Sequence, residues 1–269
     1  MYKKVGERLR QEAAGRPELA RTIDLYCALL EAQAQVGIEP GVVLDAEEAV
    51  ARLEQGLPLL SPEALAVDDS ALAELCDQIV SIVAERQPEL ADATAAVQAW
   101  LNRKRQRLGV LAAQYLWEGC IGEGDEAELL ASIFDSALHP FLRALARSLA
   151  PLVRDGAWYR GICPVCGGEP DFATLGSRSG RRRLLCSRCD TEWTFRRIGC
   201  PFCGNDDPRR LGYYPSDDGA YRLSVCGACR RYIKTIDLRE AAGDRLPAVE
   251  RVLTVGMDLA AEKAGYRRG

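Results

Sequence analysis

Eight of the eleven cysteines fall into four Cys-x-x-Cys pairs between residues 163 and 229. They are Cys163-Pro-Val-Cys166, Cys186-Ser-Arg-Cys189, Cys200-Pro-Phe-Cys203 and Cys226-Gly-Ala-Cys229. Two residues between thiols let one tight turn aim both sulfurs at a single point. Two such turns face to face make a tetrahedral S4 cage for zinc or iron. The first and third pairs share the pattern Cys-Pro-x-Cys-Gly. Proline pre-sets φ inside the turn, and Gly167 and Gly204 can take positive φ just after it. That conformation turns backbone N–H groups toward the sulfurs, the support a thiolate site needs.

The spacing forms an internal repeat. Nineteen residues separate Cys166 from Cys186 and 22 separate Cys203 from Cys226, but only ten separate Cys189 from Cys200. Each longer gap holds two strand-like runs: Asp171–Leu175 with Arg183–Leu185, and Leu211–Tyr214 with Tyr221–Val225. A hairpin in each gap would bring its flanking knuckles together. The expectation is two successive metal sites, Cys163, Cys166, Cys186 and Cys189 in the first and Cys200, Cys203, Cys226 and Cys229 in the second. Cross-paired knuckles are the alternative. The first lobe has few large apolar residues, among them Phe172, Leu185, Trp193 and Phe195. A lobe that small cannot stabilise itself by burial alone. Structural zinc contributes about 10–16 kcal/mol, which matches or exceeds the ~5–15 kcal/mol stability of a whole domain. Metal loss should therefore unfold this region whatever else the metal does. Disulfides are the weaker expectation, because nothing at the N-terminus reads as a secretory signal. A thioredoxin-like dithiol needs one pair beside a βαβ pattern, not four in a repeat.

The elements that carry this region follow from periodicity. The first 155 residues read as helices. Pro17 suits a first helical position, Leu19, Ile23, Tyr26, Cys27 and Leu30 form one face, and Gly37 and Pro40 close the helix. A short helix follows over residues 41–55 with Val43, Ala46, Val50 and Leu53, then a loop from Gly56 through Pro62. Asp69 or Ser70 would cap a helix with Leu72, Leu75, Cys76, Ile79, Ile82 and Val83 on one face. Pro88 opens another, with Val97, Trp100 and Leu101 inside, and Leu108–Trp117 continues the pattern until Gly122 and Gly124. Asp125 would cap residues 126–138, and Pro140 would begin a separate helix, Phe141–Leu149. After the last knuckle, Arg230–Ile236 alternates like a strand, and Leu246–Ala264 makes a final helix with Val249, Val252, Leu253, Met257 and Ala260 on one side.

The fold class expected is α+β: an N-terminal all-α helical bundle, two tandem rubredoxin-like or zinc-ribbon lobes with four cysteines each, and a C-terminal helix packing on the rest. The divisions are residues 1–156, 157–198, 199–243 and 244–269. No apolar run approaches the ~18–20 residues of a membrane span, and the chain is expected in the cytoplasm.

Charge is uneven along the chain, whose net charge is −4. Residues 1–159 carry 15 Lys and Arg against 25 Asp and Glu, whereas residues 160–236 carry 14 against 8. The basic stretch invites a nucleic-acid reading, a zinc ribbon using the arginines of residues 178–231. Two divalent cages with four thiolates each would add −4 there, so Arg181-Arg182-Arg183 and Arg196-Arg197 are read mainly as neutralising the cages or lying in solvent. Nucleic acid and membrane are not expected as partners. Cys27, Cys76 and Cys120 lie on or near apolar helix faces and are read as buried packing. His139, the sole histidine, precedes Pro140 and reads as a helix-boundary residue rather than a base or ligand. No residue takes a catalytic role, since Ser-His-Asp or Cys-His chemistry has little to stand on. No phosphate-cradling glycine loop is present in the helical part. An oxidoreductase cycling its thiols is a third, weaker reading.

The residues also resemble a known family. Cys163-Pro-Val-Cys166-Gly167, Leu185-Cys186-Ser187-Arg188-Cys189 with Glu192-Trp193, and Arg196-Arg197 before Cys200 are similar to the formate dehydrogenase accessory protein family, FdhE. So are Ser224-Val225-Cys226 through Cys229, Tyr232-Ile233-Lys234, and the tail Met257-Asp258-Leu259-Ala260 with Gly265-Tyr266. The resemblance is specific across residues 163–266 and loose in the helices, where it touches Glu31-Ala32-Gln33. Thr194 departs from it, standing where some members have histidine. The resemblance implies a non-enzymatic, cytoplasmic maturation factor that contacts the catalytic subunit of formate dehydrogenase. It also implies two rubredoxin-like iron sites on the eight paired cysteines; the cysteines themselves accept zinc as well.

Overall fold

The computed structural model describes all residues except 38–43, 62–64, 66, 123, 125, 155 and 242. Pro40, Val43, Pro62 and the Asp125 cap, expected above as helix and loop markers, lie outside the described residues. Two compact units emerge: Met1–Val42 with Leu60–Leu145, and Val43–Leu59 with Ala146–Gly269.

The first unit is helical. Helices α1 (Tyr2–Ala13), α2 (Ala20–Gln35), α4 (Asp69–Arg86), α5 (Ala91–Lys104), α6 (Leu108–Glu118) and α7 (Ala127–Leu149) follow one another, with α3 (Ala46–Glu54) counted in the second unit. Pro17 and Pro88 each open a short 3-10 turn that runs into the next helix. The buried faces hold Ile23 and Cys27 on α2, then Leu72, Leu75, Cys76, Ile79 and Val83 on α4, and Val97 and Leu101 on α5. Several expectations shift. Tyr26 and Ala46 are exposed, and Trp100 is half-buried with its ring edge-on to Phe134. The α4 cap is Asp68, which accepts from the Ala71 N–H at 2.8 Å, while Asp69 reaches across to the Gly109 N–H. The end of α6 falls at Gly119, whose φ of 75° supplies the left-handed cap earlier than Gly122 or Gly124. Cys120, just past that cap, is exposed, against the burial expected for it.

Helix α7 corrects the reading of His139 and Pro140. It runs unbroken from Ala127 to Leu149 with Pro140 inside it, so His139 is not a boundary residue. Proline has no N–H to offer the carbonyl four residues back, which is that of Ser136. Gln33 fills this gap: its Nε2 donates to the Ser136 oxygen at 2.8 Å. Within α7, His139 Nδ1 lies 2.9 Å from the Tyr2 hydroxyl. Because Pro140 does not break it, the helical segment Ala127–Leu152 is long and apolar enough to cross a membrane by length and composition alone, an 18-residue stretch of it having a mean hydropathy of 1.2, against the expectation that no run comes close. Burial of 61% of that stretch inside the protein is the behaviour of a core helix.

The second unit is built on one sheet. Strands β1 (Pro170–Leu175), β2 (Arg182–Cys186) and β3 (Glu192–Phe195) form an antiparallel ribbon, and β4 (Leu211–Pro215), β5 (Tyr221–Cys226) and β6 (Arg231–Asp237) form another. The two ribbons join through a parallel pairing of β1 with β6, Phe172 opposite Lys234 and Leu175 opposite Asp237. The strand order is β3-β2-β1-β6-β5-β4, with a short β7 (Arg267–Arg268) beside β6. The alternation expected for β6 is absent from its burial, since Tyr232 through Asp237 are all buried. Neither face of this central strand is open to solvent. The expected C-terminal helix is two, α8 (Pro247–Leu253) and α9 (Val255–Lys263), parted at Thr254, whose hydroxyl donates back to the Glu250 carbonyl at 2.7 Å. Val249, Val252 and Ala261 are buried, while Ala260 is exposed.

Candidate metal centres

Each knuckle is a loop between two strands or between a connector and a strand, and its shape depends on one residue. After all four second cysteines the backbone is left-handed: Gly167 at φ 74°, Asp190 at 55°, Gly204 at 74° and Arg230 at 59°. The glycines are legible in the sequence. Asp190 carries a weaker signal, because aspartate visits this region more readily than most residues; nothing marks Arg230. In this conformation the chain folds back on itself. The Cys163 N–H donates to Gly168 O at 2.8 Å, Cys186 to Thr191 O at 3.0 Å, and Cys200 to Asn205 O at 2.8 Å. Amides then face sulfur, with Val165 N 3.4 Å from Cys163 Sγ and Arg188 N 3.4 Å from Cys186 Sγ.

The structure gathers the eight sulfurs into two groups of four, Cys163, Cys166, Cys186 and Cys189, then Cys200, Cys203, Cys226 and Cys229, each group lying within 4.8 Å. Successive knuckles are thus brought together, not crossed ones. The sulfur separations are 3.7 Å for Cys163–Cys189, 3.4 Å for Cys166–Cys186, 3.7 Å for Cys200–Cys229 and 3.8 Å for Cys203–Cys226. A tetrahedron with metal–sulfur bonds of ~2.3 Å has edges of about 3.8 Å, whereas a disulfide needs about 2.05 Å. All eight cysteines are free thiols. Each group could hold one metal ion, and the donor set suits zinc or iron alike.

Without a cation Cys163, Cys200 and Cys229 resist ionisation, whereas Cys203, against its slight burial, is brought down by hydrogen bonds from the Asn205 amide and the neighbouring thiols. Burial first, and then the neighbouring thiols, push Cys163 well above the usual thiol range. Burial pushes Cys200 up to about 12, against the amides of Cys203 and Phe202. A bound divalent ion reverses this by supplying the charge that thiolates need.

The two centres differ in their surroundings. All four cysteines of the first are buried; in the second, Cys203 is exposed and Cys229 half-buried. The first is covered by a segment that the sequence presents only as a loop: Leu59 N donates to Pro164 O at 2.8 Å, and Pro58 sits over Gly167. Arg251 anchors its back, donating to Cys186 O at 3.0 Å while pairing with Asp171 and Asp190. Beside the second, Arg182 is buried rather than in solvent. Its Nη1 donates to Gly199 O at 2.8 Å, and burial lowers its pKa to about 10, opposed by Cys200.

A helical unit followed by one sheet that bears two tetracysteine centres defines a cysteine-rich, metal-binding protein of the ribbon type. The comparisons show what the chain is similar to. The profile "FdhE, central domain" matches residues 162–197. The "Protein FdhE homolog" of Aquifex aeolicus is 27% identical over 84% of this chain and 77% of its own, and that of Edwardsiella ictaluri is 28% identical over 100% and 86%. The crystal structure of the FdhE protein from Pseudomonas aeruginosa shares the fold, with a TM-score of 0.62 at 24% identity, over 100% of this chain and 93% of that one. The resemblance carried by the cysteine motifs therefore extends along the whole chain, which is similar to FdhE proteins from end to end and bears two cysteine groups that could each hold a metal ion.

Proposed function

We propose that this protein is a metal-binding accessory factor for the maturation of formate dehydrogenase, binding the catalytic subunit before or during assembly of its cofactors. The observation that carries the reading is the pair of tetracysteine centres set in one sheet, in a chain similar to FdhE proteins from end to end. In this reading Cys163, Cys166, Cys186 and Cys189 hold one ion within residues 157–198, and Cys200, Cys203, Cys226 and Cys229 hold the other within residues 199–243. Iron is the metal by family resemblance. The ions rigidify a docking platform; the protein is not an enzyme, and it works in the cytoplasm.

The nucleic-acid reading loses its footing in the arginines. Arg183 pairs with Glu192, Arg209 with Asp207, Arg222 with Asp237 and Arg231 with Glu169. Arg196 and Arg230 donate to backbone carbonyls. With six of the twelve arginines of residues 178–231 engaged in this way, no association that falls steeply with salt is expected.

Capture of the tagged protein from anaerobic extract tests the main reading. The catalytic subunit of formate dehydrogenase should co-purify, more so when cofactor assembly is blocked. Recovery of the mature enzyme alone, or of no subunit, contradicts it.

A further inference from the structure

The sheet has a face that the C-terminal helices do not use. Along β6, Tyr232 and Lys234 point to α9, where both donate to Asp258, at 2.8 and 2.6 Å. The alternate residues Arg231, Ile233 and Thr235 point the other way, with Arg222 and Ser224 of β5 beside them. Together with Leu211–Tyr213 of β4 and the connector Arg197–Phe202 they wall a cavity of about 300 Å³. That is the lower end of the range for ligand sites, ~300–1,000 Å³.

Four arginines face the cavity, Arg182, Arg197, Arg222 and Arg231, with no carboxylate among the described residues, and so do Cys200 and Cys226 of the second metal centre. Arg222 is balanced from outside by Asp237, and Arg231 by Glu169, Nη1 to Oε1 at 3.0 Å. Arg182 lies against the second metal centre. Arg197 is exposed and pairs with no carboxylate among the described residues. Around it the surface is apolar: Ile198 is 59% exposed and Tyr213 60%, and Phe202 is half-buried. Strand β4 ends the sheet, so its outer edge has no strand partner among the described residues. An unpaired edge beside an open cavity suits an extended chain.

We propose that this cavity seats an extended acidic segment of a partner protein, with a carboxylate on Arg197 and an adjacent aliphatic or aromatic side chain among Ile198, Phe202 and Tyr213. Charge selects the occupant. A basic segment would bring a like charge to Arg197, which neither a carboxylate nor the metal centre balances among the described residues, and a neutral apolar one would leave it desolvated without a partner. A nucleic acid needs a row of free cations, and three of the four arginines are already engaged. Residues 160–236 carry 14 Lys and Arg against 8 Asp and Glu, a surplus that outweighs the −4 of two loaded cages and draws an acidic partner toward this face. The inference goes beyond the formate dehydrogenase reading and does not depend on which protein supplies the segment.

The test uses the metal-loaded full chain and two fluorescein-labelled hexapeptides, alternating Glu-Leu and alternating Lys-Leu, followed by anisotropy. The acidic peptide should bind at least tenfold more tightly than the basic one, and more weakly as salt rises. Arg197→Glu should weaken it tenfold or more, and Ile198→Asp severalfold; both side chains are exposed, so fold and metal content should be unchanged. Equal binding of the two peptides, or acidic binding indifferent to both substitutions, overturns the proposal. So does sedimentation showing a dimer that Arg197→Glu dissociates, which would make a second copy the occupant.

Discussion

Lys234 Nζ lies 2.6 Å from Asp258 Oδ2, with the lysine side chain only 2% exposed. The two residues belong to separate stretches, Tyr232-Ile233-Lys234 and Met257-Asp258, that carry the family resemblance. The structure shows what they do: Tyr232 donates to the other carboxylate oxygen, Lys234 donates also to Arg251 O at 2.9 Å, and α9 is thereby held on β6. Burial lowers the pKa of Lys234 despite Asp258. Removing one partner of a buried pair leaves the other charge uncompensated, at about 3–5 kcal/mol. Asp258→Ala should cost that order of stability in denaturant unfolding of the metal-loaded protein. The double variant Lys234→Met with Asp258→Leu should cost less than Asp258→Ala alone, because neither charge remains.

Gln33 and Pro140 give a second cycle. Gln33→Met leaves the half-buried Ser136 carbonyl without its donor, which costs at the lower end of about 1–3 kcal/mol. Pro140→Ala restores a backbone N–H to that position, so in the Gln33→Met background it should recover most of the loss. In the wild type the same substitution should gain less, since Gln33 already holds the carbonyl. Additive effects in urea unfolding would show that the side chain is not repairing the helix.

The two knuckle glycines should respond unequally. Alanine at φ 74° is strained at either, by roughly 1–2 kcal/mol. At Gly167 the new methyl would also lie 3.1 Å from Pro58 Cγ, whereas at Gly204 the nearest atom is the mobile tip of Arg196 at 3.7 Å. Gly167→Ala should therefore destabilise the protein more than Gly204→Ala, measured by thermal unfolding at fixed metal loading.

Exposure of Cys203 and partial exposure of Cys229 predict a two-step loss of metal. A chelator in excess should strip one ion per chain quickly and the other only as the sheet opens. Cys203→Ser should abolish the fast phase and leave the slow one. A single phase releasing both ions would contradict the difference in burial.

What the sequence discloses divides along local and non-local physics. Pairing of successive knuckles follows from gap length, because a hairpin between two turns is a local structure. The strands flanking each gap fall where their runs place them, within a residue or so. The parallel β1–β6 junction does not announce itself, since register between residues 172 and 234 depends on packing assembled only in the folded chain. Pro140 misleads for a similar reason: its usual meaning is a helix break, and the side chain that cancels it comes from residue 33. The cap of α4 falls at Asp68, one residue before the two that the sequence suggests, Asp69 and Ser70, because all three are good capping residues in a row. Arg182 is one of three consecutive arginines, and only the strand's alternation decides which is buried.

The account rests most directly on how many ions the chain holds and which cysteines hold them. Metal analysis of anaerobically purified protein, with visible absorption, should give two ions per chain. Cys163→Ser with Cys166→Ser should lose one ion and spare the second, and Cys200→Ser with Cys203→Ser should do the reverse. One ion shared by all eight cysteines, or disulfides in place of metal, would contradict it.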